Sequence, residues 1–151
     1  MRFQTVREIL EFVRGFHARA AQLFSAVADQ AQRDKARWML EWLAEHEQRF
    51  SEALATFENT PANAPLLHEW LQYAPDLQRL PLQLPSLPAE FSADDAAALA
   101  LAFDDYLVRL YKAVLDTCES REICELFRML LDQERAEERS VSRSLSQLQD
   151  L

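Results

Sequence analysis

The chain has 151 residues, enough for one domain with a core of its own. Its formal charge of −9, from 16 basic against 25 acidic side chains, argues against binding nucleic-acid phosphates or an anionic membrane surface. A single glycine among abundant Ala, Leu, Glu, Gln and Arg points to a mostly helical protein.

No apolar run is long enough to span a bilayer. The first residues reach Glu8 and Glu11 without the apolar stretch of a signal peptide, so a cytoplasmic location is expected. Cys118 and Cys124 do not form a CxxC pair, and in that compartment they are expected as reduced packing residues.

The first helix is expected from about Thr5 to Gln30, with Thr5 and Glu8 spaced as a capping box. Gly15 lies inside it, where glycine costs about 1 kcal/mol relative to Ala. Close helix packing is the expected reason for it, since Ala102 is its counterpart in the repeat described below. The second helix is expected from about Asp34 to Glu58, stopped by Asn59, Thr60 and Pro61.

Residues 60–91 then carry all six prolines and many leucines. So apolar a connection is expected to pack along the bundle, with one short helix near Leu66 to Tyr73. A third helix should start at Ser92, with Asp95 completing its cap, and a fourth at about Ser120, running nearly to the C-terminus.

Two halves of this pattern superimpose without a gap at an offset of 87 residues, the separation of Glu47 and Glu134. Thr5 then aligns with Ser92, Phe16 with Phe103, Leu23 with Leu110, and Leu43 with Leu130. Each half is expected to be a helical hairpin, 5–58 and 92–148, joined by the long crossover. Two hairpins with one long crossover is the ferritin-like four-helix arrangement, and an all-α bundle of that kind is the expected fold.

Glu47 and Glu134 sit where core-facing stripes call for apolar residues. One stripe is Leu40, Leu43, Glu47, Phe50, Leu54; the other is Phe127, Leu130, Glu134, Glu137, Val141. A carboxylate there must be paired, protonated or bound to a cation. On the other two helices the stripes carry His17 and Asp104, which are also separated by 87. His17, Glu47, Asp104 and Glu134 are therefore expected at one level of the core, with Glu137 one turn beyond Glu134.

The pattern resembles the rubrerythrin branch of the ferritin-like superfamily over nearly all of the four helices, though not over the crossover. Leu43-Ala44-Glu45-His46-Glu47 is similar to the stretch leading into that family's metal-binding Glu. Leu23-Phe24 and Leu110-Tyr111 are similar to its hydrophobic-aromatic step. The resemblance implies a Glu on the first helix of each hairpin and Glu-x-x-His on the second, holding two irons that react with peroxide or oxygen. Glu47 and Glu134 match. His17 and Asp104 stand where the family has Glu, and Phe50 and Glu137 stand where it has His. His46 is expected on the flank, about 100° round the helix from Glu47.

The expected metal ligands are thus His17, Glu47, Asp104, Glu134 and Glu137, a donor set suited to iron, manganese or zinc. Any electron donor would be a separate protein, because no rubredoxin-type Cys pairs are present. The competing expectation is a metal-free hydrogen-bonded cluster, with His17 protonated or one of Arg14, Arg109 and Arg135 turned inward. The protein would then be an interaction or scaffold protein.

Trp38 and Trp42 are expected on the outer face of their helix. They would be covered by the crossover or buried in a homodimer through that face or through the crossover. No phosphate-binding loop, Ser/His/Asp set or thiol nucleophile stands out, and no catalytic residue is assigned.

Overall fold

Every helix begins where the sequence offers a cap or a break. Thr5 accepts a hydrogen bond from the Glu8 amide and starts α1, Val6–Gln30. Three residues later α2 spans Asp34–Glu58. Ser92 and Asp95 form a reciprocal capping box at the start of α4, Ala93–Thr117. Ser120 caps α5, Arg121–Gln149. These are the bounds expected from the sequence to within a residue. In this computed structural model the described residues are 5–72, 75–76, 82–86 and 88–151.

Residues 60–91 open with a 3-10 turn, Pro61–Asn63, and a four-residue helix α3, Ala64–Leu67. The short helix therefore comes earlier than Leu66 to Tyr73, because Pro65 sits comfortably in a first helical turn. Tyr73 itself lies outside the described residues. After α3 the chain pairs with the start of α1, through the Val6 amide on the Glu69 carbonyl at 3.1 Å and a bridge between Thr5 and Trp70.

The molecule is all-helical, with no strand among the described residues. α1 packs along α2 and α4 along α5, and α2 also lies against α4. The ends fix the directions. Arg33 pairs with Glu90 at 2.6 Å, Lys35 bonds the Leu151 carbonyl at 3.2 Å, and Gln149 bonds Asp94 at 3.1 Å. So the start of α2, the start of α4 and the end of α5 share one end of the bundle. Glu69 and Ser120 meet at the other, 3.5 Å apart. The crossover thus returns the chain along the length of α2, about 37 Å for a 25-residue helix. Leu82 marks its course beside Phe16, Leu23 and Phe103.

Among the described residues, Leu82 lies beside α1 and α4, and Trp38 is 49% exposed. Trp42 is half-buried, and its ring lies over His46 with centroids 3.8 Å apart.

Gly15 also departs from expectation. A Cβ there would meet only the Arg19 Nη1 atom, at an ordinary 3.5 Å, so no neighbouring backbone requires glycine. The helix runs through it without a bulge.

The cysteines are corrected too. Cys118 and Cys124 are joined by a disulfide, with Cα atoms 5.9 Å apart, across the α4–α5 turn. The turn brings the C-cap of α4 over the first turn of α5, which a spacing of six residues does not reveal.

No helix among the described residues is long and apolar enough to cross a membrane.

Two apolar clusters fill the bundle. One, toward Thr5 and the α4–α5 turn, contains Ile9, Leu10, Leu107, Leu110, Tyr111, Phe127 and Leu130. The other, rich in alanine, contains Phe24, Met39, Leu40, Leu43, Ala97, Ala100 and Phe103. A polar layer lies between them.

Candidate functional site

Each of the four long helices contributes to that layer because its core stripe is interrupted there by a polar residue. His17 on α1, Glu47 on α2, Asp104 on α4 and Glu134 on α5 are each at most 3% exposed, and Glu137 is also buried. All five residues expected at the site are therefore in the core.

His17 is the hub. Its Nδ1 bonds Oε2 of Glu47, and its Nε2 lies 3.1 Å from Oε1 of Glu134. The imidazole thus joins α1 to α2 and α5. Burial by itself would lower its pKa. Hydrogen bonds and charge from Glu134 and Glu47 reverse this and raise the pKa to about 10, so the ring is an imidazolium at neutral pH. Phe50 lies nearly parallel to it, with centroids 5.1 Å apart and planes 13° from each other. The residue standing where the resembled family has a ligand therefore serves as an apolar lid on the histidine.

Asp104 is in a different condition. It is 1% exposed, and neither carboxylate oxygen has a hydrogen-bond partner. Burial, then the charges of Glu134 and Glu47, hold its pKa well above the ordinary carboxylate value. Oε2 of Glu134 is likewise buried and unpartnered. Tyr111, two turns beyond Asp104 on the same helix, has its phenol pKa pushed well up by burial, by the charges of Glu134 and Asp104 and by a hydrogen bond with Glu134.

Glu137 turns toward the rim of the layer, where its Oε1 lies 3.3 Å from Nδ1 of His46. Burial raises its pKa, and the charge of His46 works against that rise. The flank position of His46 is as expected. Its link to the core through Glu137 was not, because that pairing depends on how α2 and α5 rotate against each other.

The arginines expected as inward partners go elsewhere. Arg14 pairs with Glu58 at 2.6 Å, Arg109 bonds Asp105 at 3.2 Å, and Arg135 is exposed. Glu58 is a buried carboxylate that was not among the expected ones, although its spacing of four from Leu54 continues the α2 stripe.

Among the described residues no group of three or more His, Cys, Asp or Glu side chains is placed to hold a metal ion. The five candidate ligands share a layer, with His17 using both ring nitrogens on glutamates. The layer carries an excess of carboxylates, and three of its buried oxygens have no partner. No family model, curated protein or solved structure matches the chain.

Proposed function

We propose that the chain is a divergent ferritin-like protein, akin to the rubrerythrin branch, whose polar layer holds a cation. The observation that carries this reading is Asp104. Protonation would remove its charge, but both buried oxygens would still lack a protein partner. A cation answers charge and coordination together. Support also comes from the crossover, which returns the chain along the bundle as ferritin-like connectivity requires.

Asp104 and Glu134 would be the first ligands, Glu47 the next and Glu137 optional, while His17, a ligand expected from the sequence, has both nitrogens on glutamates and would position them instead. Iron first, or manganese, would supply electron chemistry toward peroxide or oxygen, whereas zinc would supply Lewis-acid chemistry alone. The chain's own contribution is to hold His17 between the carboxylates and to cover it with Phe50.

A second reading is favoured by one observation: both nitrogens of His17 are already satisfied by Glu47 and Glu134. The layer would then be a metal-free ionic cluster inside a helical interaction protein. Its exposed Trp38 face would be the working surface, with a second copy of the chain as partner.

Elemental analysis of protein purified without a metal-binding tag separates the two. The cation reading expects iron, manganese or zinc at one to two per chain, absent from the Glu47→Ala/Glu134→Ala variant, at the order expected for a one- or two-ion carboxylate site. Wild-type protein that stays metal-free after incubation with Fe²⁺, Mn²⁺ and Zn²⁺ overturns it. The scaffold reading expects Trp38→Ala to shift the sedimentation of the assembled protein.

A further inference from the structure

One side of the polar layer opens into a cavity of about 110 Å³, lined chiefly by α2 and α5. Phe50, Leu54 and Phe57 of α2 and Leu126 of α5 form an apolar wall. Ala53, Met129 and Gln133, all exposed, lie among its lining and set its mouth toward solvent. The volume is of the same order as the ~150 Å³ apolar cavity that accepts benzene in another protein.

The inner end presents His17, Tyr111 and Glu134, and these groups already serve one another. Both nitrogens of His17 are engaged by glutamates, and the Tyr111 phenol is hydrogen-bonded to Glu134. Oε2 of Glu134 is buried, so the cavity does not reach it. A ligand therefore meets mostly carbon inside, where a charged group would lose its hydration without gaining a partner. Phe50 and Phe57 favour an aromatic guest, because ring pairs gain attraction beyond the area they bury. The mouth differs. The Gln133 carboxamide offers both a donor and an acceptor from an exposed position. A neutral hydroxyl placed there keeps its hydrogen bonding while the ring fills the interior.

We propose that this cavity binds a small neutral phenol or aromatic alcohol, with its single ring against Phe50 and Phe57 and its hydroxyl at Gln133. The inference goes beyond the cation centre and does not rest on it.

The test is calorimetric titration of the full chain at neutral pH with p-cresol, toluene, benzylamine and benzoate. p-Cresol is expected to bind saturably, about fivefold tighter than toluene through one hydrogen bond, and at least about tenfold tighter than either charged analogue. Its ring protons should show nuclear Overhauser contacts to the Met129 methyl group. Ala53→Trp fills the mouth from an exposed position and should weaken p-cresol by at least about tenfold, with folding checked by circular dichroism. Gln133→Leu should erase the preference for p-cresol over toluene.

The proposal is overturned if p-cresol does not bind saturably, if toluene, benzylamine or benzoate binds as tightly, or if Ala53→Trp binds p-cresol unchanged. Contacts to the Trp38 ring in place of Met129 would overturn it too, as would a Gln133→Leu variant that still prefers p-cresol.

Discussion

At the scale of single residues, His17 is the one whose removal should matter most. It is the cation between two buried glutamates, so His17→Leu leaves Glu47 and Glu134 uncompensated. The expected cost is about 3–5 kcal/mol, read from urea unfolding. Adding Glu47→Met and Glu134→Leu should return most of it, because an apolar trio needs no charge pairing. A triple variant as unstable as the single one would refute the hub role of the imidazolium. Gly15 makes the opposite prediction. Its absent Cβ has room, so Gly15→Ala should stabilise the protein by about 0.5–1 kcal/mol. A loss of stability would show that glycine there serves a close contact after all.

Both residues also mark what a sequence shows at this scale. His17, Glu47, Asp104 and Glu134 are legible because helical periodicity alone assigns each to a buried stripe. Their pairing is not legible. That His17 bonds two glutamates while Asp104 bonds none depends on side-chain reach across four helices. Phe50 is a departure from a ligand motif in sequence and an imidazole lid in the folded protein.

At the scale of elements, the caps decide the helix starts. Thr5, Ser92 and Ser120 each satisfy an amide of the first turn. Caps are local, so the sequence places these starts within a residue. The α4–α5 turn adds a constraint that is not local in the same way. The Cys118–Cys124 disulfide closes a short loop between two helices. Cys124→Ser should lower stability by about 2 kcal/mol, the loop-entropy contribution of so short a ring. Wild-type protein treated with reductant should melt at the same lower temperature as the variant. Equal melting temperatures of variant and untreated wild type would show that the two thiols are free in solution.

At the scale of the whole molecule, the polar layer should set the response to pH. The folded pKa of His17, about 10, exceeds its ordinary 6.5. Its stabilising contribution is therefore complete below about pH 6.5 and is lost as pH rises through 10. Asp104 and Glu137 have pKa values raised above those of ordinary carboxyls, so rising pH also forces charge onto them in the folded state. All three act in the same direction. Chelator-treated protein should lose melting temperature steadily from pH 6 to pH 10, and His17→Leu should flatten the part of the slope above pH 7. A melting temperature that rises over this range would contradict the charge assignment.

The sequence by itself determined the four long helices, their starts, the two-hairpin repeat and the burial of His17, Glu47, Asp104 and Glu134. Each of these follows from local chemistry: caps, prolines, and a period of 3.6 residues along one chain segment. Only the tertiary structure decided that Leu82 lies beside Phe16 and Phe103, that Trp38 is half-exposed, and that His46 reaches Glu137. It likewise decided that a cavity ends at Glu134, and that Cys118 meets Cys124. The reason is the same in each case. These contacts depend on how one helix is rotated and placed against another, and a periodic stripe fixes which face is buried without fixing what it is buried against.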